Sequence, residues 1–130
     1  MRRAIRTREA FAGDGPYSQA VLSGGFVFVS GQGPLDLHGN VVGETIEEQT
    51  GLTLRNIERI LAAAGCTMDD VVKVNVILRH IGDFDKFNDV YRTYFREPMP
   101  ARTCYEGGLD GILVEIDAIA EAPNGKERGT

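Results

Sequence analysis

The run Ile112-Leu-Val-Glu-Ile-Asp-Ala-Ile-Ala120 constrains this chain more than any other stretch. It reads as a strand apolar enough to be buried on at least one face. Yet Glu115 sits in its middle, sharing a face at period two with Leu113, Asp117 and Ile119. A carboxylate there must be paired, protonated or solvated in a cavity, because burying a lone charge is costly. The extended stretch before it, Pro100-Ala-Arg-Thr-Cys-Tyr105, places Arg102 and Cys104 two apart and so on one face. A Gly-rich turn joins the two stretches, so the sequence predicts a hairpin on which an arginine, a thiol and a glutamate converge. Chemistry is expected there.

The rest of the chain supplies the elements that such a hairpin needs. Residues 4–8 read as a short edge strand, 12–16 as a Gly/Pro turn, 17–22 as extended, and Phe26-Val-Phe-Val-Ser30 as a strong strand. A brief extended piece follows at Val41-Val42. Thr45 and Glu48 form a capping box, and apolar positions recur with helical spacing from Ile46 to Ala64, where Gly65 fits the C′ position. Val71–Leu78 is the longest strand, with Val72, Val74, Val76 and Leu78 expected in the core. Asp83 is placed to cap a second helix whose stripe is Phe84, Phe87, Tyr91 and Tyr94/Phe95, and Pro98 and Pro100 stop it. The stripe reads as core, with Asn88 the one polar insertion that needs a partner. The order β-β-β-α-β-α-β-β defines an α+β domain: a mixed sheet with two helices on one face. One domain is expected over 1–120, with 121–130 a polar tail expected to be disordered. The sheet's other face lacks a third helix, so its apolar positions are expected to be exposed or shared between subunits of a homo-oligomer.

Composition excludes several functions. A net charge of −5 argues against a nucleic-acid binder held by phosphate contacts. No run is long and apolar enough for a membrane span, and no secretory h-region follows Met1-Arg-Arg. Cys66 and Cys104 form no metal-type spacing with His38 and His80, so a zinc site is not expected. A cytoplasmic protein with reduced thiols is the expectation.

Six motifs then occur in a recognisable order: Gly15-Pro-Tyr-Ser-Gln-Ala-Val21, Val29-Ser-Gly-Gln32, Gln49 with Asn56-Ile57, Asp83-Phe84 through Asn88 and Tyr91 to Tyr94-Phe95, Pro100-Ala-Arg102 with Cys104, and Val114-Glu-Ile116. Together they resemble the reactive intermediate deaminase family (Rid, also called YjgF-like), specifically its RidA-type members, over residues 13–120. The resemblance implies a chorismate-mutase-like fold assembled as a homotrimer, with clefts between neighbouring subunits. It implies hydrolysis of reactive enamines and imines, such as 2-aminoacrylate, to 2-oxo acids and ammonia without a metal or organic cofactor. Residue by residue, it gives Arg102 the substrate carboxylate, Glu115 the water, Cys104 a backbone contact and Tyr17 the aromatic lining, with Ser30, Gly31 and Asn88 around the cleft. The turn 105–111 and the connection 96–100 look shorter than in many such members, which bears on substrate preference.

Elementary chemistry agrees with that reaction. A guanidinium fork holds a carboxylate bidentately and fixes its plane. With the carboxylate held, the imine carbon has a defined position, and orientation removes much of the barrier. Glu115 can then deprotonate a water or pass a proton to the leaving amine. Bland readings stand beside these: Arg102 as a structural bridge to Glu115 or Asp117, Glu115 as an interface residue, Cys104 as a small buried hydrophobe, Tyr17 as strand-edge packing. No histidine is placed to activate Cys104, so no covalent catalysis is expected. Functional alternatives are a sensor of small carboxylates using the same cleft, and a pathway-specific enzyme such as a 2-aminomuconate deaminase. Ribonuclease activity, attached to some family relatives, is disfavoured by the acidic balance.

Overall fold

A computed structural model describes residues 1–123. Six strands form one sheet: β1 (Arg3–Ile5), β2 (Ala20–Ser23), β3 (Phe26–Gln32), β4 (Val71–Leu78), β5 (Ala101–Glu106) and β6 (Val114–Glu121). The sheet order is β1-β2-β3-β6-β4-β5, and every pairing is antiparallel except β4 with β5. Helices α1 (Ile46–Ala63) and α2 (Phe84–Tyr91) pack on the mixed sheet. The expected order and class are therefore those observed.

α1 starts where its cap dictates. The Glu48 N–H donates to Thr45 Oγ1 at 3.1 Å, and the Thr45 N–H donates back to Glu48 Oε1 at 3.2 Å. Beyond the helix, Gly65 takes φ +77°, open to a residue without Cβ. Ile46, Leu54, Ile57, Ile60 and Leu61 bury one helix face. Under it lie Val27, Val29, Val74, Val76, Val114, Ile116, Ala118 and Ala120, which close the core. α2 is shorter than its stripe: it ends at Tyr91, while Phe95 still packs on the Tyr91 ring at 4.7 Å between centroids.

The expected hairpin does not form. β4 lies between β5 and β6, so those two strands are not neighbours. The reason lies in their compositions. Val114, Ile116, Ala118 and Ala120 are all buried, which suits β6 to a central place, whereas polar and half-exposed β5 suits an edge. After β4 the chain crosses through α2 and returns parallel to it, as such a crossover requires.

Val72 also departs from expectation. A register irregularity between Val71 and Lys73 lets Val71 take the core place, and Val72 is left 45% exposed. Strand limits shift as well: β1 stops at Ile5, β2 begins at Ala20, and Val41 forms only an isolated bridge to Leu35. Glu121, expected in the tail, is the last residue of β6, and Ala122 is buried with its N–H on the Gly25 carbonyl. The remainder of the expected tail, 124–130, lies outside the described residues. On the uncovered face Val21, Phe28 and Ile119 stand in one row, with Phe26, Phe28 and Tyr105 exposed. Among the described residues no helix is long and apolar enough to cross a membrane.

Candidate active site

Strand register decides which face each candidate residue occupies. Arg102 stands opposite Val74, and Cys104 opposite Val76, both buried positions. Their side chains therefore share the face that carries the helices. Arg102 Nη1 donates to Asn88 Oδ1 at 2.8 Å, so the one polar residue of the α2 stripe finds its partner here. The guanidinium carbon lies 4.8 Å from the Tyr91 ring centroid, 5.5 Å from that of Phe84 and 5.7 Å from that of Phe87. Positions 84, 87, 88 and 91 follow helical spacing, so α2 offers Arg102 one continuous cradle of aromatic faces and one amide.

Among the described residues the ion pairs are Arg55–Glu58, Arg92–Asp89 and Arg96–Asp69, and Arg102 is in none of them. The guanidinium thus keeps N–H donors and its full charge for an anion, beside a hollow of about 310 Å³ lined also by Asn88, Tyr91, Met99 and Pro100. Burial pushes the Tyr91 phenol up to about 12, opposed by Arg102, and its buried hydroxyl has no hydrogen-bond partner among the described residues. Burial also pushes the Cys104 thiol up, with Arg102 opposing, which leaves it a poor nucleophile.

Glu115 is elsewhere. It stands opposite Ile77 on β4, one residue out of phase with the buried Val114 and Ile116, and so faces the uncovered side of the sheet. It lines a hollow of about 370 Å³ with Tyr17, Ser30 and Gly31. The irregularity between Val29 and Gln32 brings the backbone of Gly31 against the carboxyl group. A Cβ on Gly31 would lie 2.7 Å from Glu115 Oε2, so only glycine leaves the carboxylate this position. Ser30 Oγ donates to the Ser18 carbonyl at 2.6 Å, and the Ser30 N–H donates to the Gln19 carbonyl at 2.9 Å, which ties the bulged strand to the Tyr17 loop. Burial raises the Glu115 carboxyl above the ordinary carboxylate range, and nearby Asp117 raises it further. Asp117 itself accepts from Asn75 Nδ2 at 2.8 Å.

Within one chain the candidates therefore divide into two groups. Arg102, Cys104 and Asn88 lie at the β5 edge beneath α2, while Glu115, Tyr17, Ser30 and Gly31 lie on the opposite face. The expected convergence of Arg102, Cys104 and Glu115 does not occur inside a protomer. A bridge from Arg102 to Glu115 or Asp117 is likewise absent among the described residues. Phe84 and Tyr91, read from sequence as core alone, turn out to hold the guanidinium. The i, i+4 and i+7 spacing of Phe84, Asn88 and Tyr91 was the available signal. Among the described residues no cluster of three His, Cys, Asp or Glu side chains is arranged to hold a metal.

The fold and the two hollows define an α+β protein with polar sites of small-molecule size, opened on both sides of one sheet. A family model described as Endoribonuclease L-PSP matches residues 7–122, and the chain belongs to this family, the YjgF/Rid family, with its chorismate-mutase-like fold. A RutC family protein of Pyrococcus horikoshii is 45% identical over 123 residues, covering 92% of this chain and 98% of its own. A protein of Capra hircus named 2-iminobutanoate/2-iminopropanoate deaminase is also 45% identical over 123 residues, covering 92% of this chain and 90% of its own. The crystal structure of a Yersinia pestis member of the conserved Rid protein family superposes with a TM-score of 0.89 at 37% identity, covering 94% of this chain and 100% of that one.

Proposed function

We propose that this chain is a deaminase that hydrolyses imines and enamines of small 2-amino acids to 2-oxo acids and ammonia. The observation that carries the reading is the Arg102 guanidinium, immobilised by Asn88 and three aromatic rings yet without an acidic partner among the described residues. Such a cation is built to receive a carboxylate from outside the protomer. The name borne by the goat relative supports the same chemistry.

The two groups of residues act together when copies assemble. The β5 edge of one protomer meets the uncovered face of a neighbour in a homotrimer, and each cleft then holds Arg102 from one chain and Glu115 from the next. The exposed Phe26, Phe28 and Tyr105 favour such an assembly. Arg102 takes the substrate carboxylate, and the free edge of β5 suits Cys104 to a backbone contact. Tyr17, Ser30 and Gly31 wall the other side. Water adds to the imine carbon as the C=N π pair moves to nitrogen. Glu115 takes one proton of the water and gives it to that nitrogen, forming a carbinolamine. It then passes the hydroxyl proton to the amine, and the C–N bond breaks to release ammonia as the carbonyl forms. An enamine reaches the same route after tautomerising to its imine. A carboxyl group raised above its ordinary range is suited to both halves of that transfer.

The test is a coupled assay in which an amino acid oxidase supplies the imine and release of 2-oxo acid and ammonia is followed. Arg102→Ala is expected to abolish acceleration while the assembly, read by light scattering, stays intact. Full activity in that variant would overturn the assignment. Wild-type protein without any effect on imine hydrolysis, but with saturable calorimetric binding of a 2-oxo acid, would instead identify a carboxylate sensor.

A further inference from the structure

A third hollow, of about 620 Å³, adjoins the Glu115 side of the site and takes no part in the chemistry above. Tyr17 lines both hollows. The larger one is walled by Arg6, Thr7, Arg8, Ser18 and Gln19 and by no carboxylate, in a chain whose net charge is −5. Neither Arg6 nor Arg8 forms an ion pair among the described residues. Arg8 also borders a neighbouring hollow with Glu9 and Asp36, again without pairing to either.

The arginines are carried on a fixed backbone. Gln19, only 5% exposed, accepts the Thr7 N–H at 2.8 Å through Oε1. Its Nε2 donates to the carbonyls of Thr7, Ala10 and Phe11 at 3.1, 3.2 and 3.1 Å. One buried amide thereby staples residues 7–11 to the start of β2. Arg6 and Arg8 flank Thr7 just beyond β1, and both line the hollow. On the far wall the Tyr17 ring is held close by Gly13 and Gly15, where a Cβ would lie 2.8 and 2.7 Å from it. Two guanidinium groups without an acidic partner among the described residues thus share one hollow with the Tyr17 ring, beside the cleft proposed above, and their chemistry suits an anion.

We infer that Arg6 and Arg8 recognise a side-chain carboxylate, so that the preferred substrates are imines of dicarboxylic amino acids rather than of simple alkyl ones. This rests on the deaminase reading above and names its substrate class. Both arginines are exposed, so the attraction is screened by salt and shows as a preference rather than an absolute requirement.

The experiment compares kcat/KM for imines generated in place from glutamate and from alanine. Wild-type protein is expected to favour the glutamate-derived imine, and the preference is expected to fall about tenfold in Arg6→Ala/Arg8→Ala. It is expected to persist in Arg6→Lys/Arg8→Lys, which keeps the charge, and to shrink as salt is raised. Thermal melting of each variant separates loss of preference from loss of fold. Wild-type activity with no preference between the two imines, or a preference untouched by the double alanine variant, overturns this inference and leaves the deaminase reading standing. Wild-type protein inert on both imines overturns the deaminase reading itself.

Discussion

The fold treats the two charged residues of the site in opposite ways. Arg102 is locked at the sheet edge by Asn88 and by the faces of Phe84, Phe87 and Tyr91. Glu115 accepts no hydrogen bond among the described residues, sits against the bare backbone of Gly31, and has a second carboxylate nearby. The first environment preserves a permanent charge in a fixed place. The second makes charge unfavourable and so makes it easy to gain and lose a proton. On the proposed mechanism, holding and proton transfer fall to different faces of one sheet, with β4 between the two strands, and a complete site needs both.

The sharpest way to break that comparison is to disable one face in each of two chains. Arg102→Ala and Glu115→Ala are each expected to be inactive alone. Mixed by joint refolding, they are expected to recover roughly a quarter of wild-type activity, the share of clefts that random mixing in a closed ring leaves intact. If the two residues served one cleft within a protomer, no mixed assembly would gain anything. Next in size is Glu115→Gln, which keeps shape but cannot take a proton. We expect kcat to fall by about 10²–10⁴-fold, with KM for a 2-imino acid moving far less. A fall in affinity at unchanged kcat would mean that Glu115 only walls the cleft.

The Arg102 side gives a smaller effect. Asn88→Ala removes one hydrogen bond from a guanidinium that three rings still support. A loss of about 1 kcal/mol in substrate binding, roughly fivefold in KM, is expected. An unaltered KM would assign the positioning of Arg102 to the rings alone.

Much of this was legible in the sequence, and the limits have physical reasons. Thr45 with Glu48, and Gly65 beyond, mark α1 because capping is local chemistry. Asn88 was marked as needing a partner because a polar residue inside an aromatic stripe is conspicuous. Period two correctly separated Glu115 from Val114 and Ile116, since it fixes faces within a strand. It says nothing about how the faces of separate strands align. That depends on register: Arg102 falls opposite Val74 and Glu115 opposite Ile77, which puts them on opposite sides of the sheet. The polar, half-exposed Ala101–Glu106 suits an edge, and an edge strand need not pair with its successor in sequence. Val72 was misplaced because a bulge adds one residue without any mark in composition.

The smallest effect concerns stability against pH, and it isolates the Glu115 environment from catalysis. Burial and Asp117 raise this carboxyl group above its ordinary value of 4.5 in the folded protein. The folded state therefore binds more protons than the unfolded state from that value up to the folded one. Stability contributed by the protonated form is fully present below the ordinary value and is lost as pH rises through the raised one. Asp36 and Glu48, whose carboxyl groups are lowered chiefly by backbone N–H donors, work the other way and lose their contribution only as pH falls below the ordinary range. The difference between wild type and Glu115→Gln removes those shared terms. Urea midpoints measured from about pH 4 to about pH 8, at fixed protomer concentration, are expected to decline across this window in the wild type and to stay flatter in the variant. Parallel profiles would mean that Glu115 is as comfortable charged as any surface carboxylate, and the contrast with Arg102 would then be one of position alone.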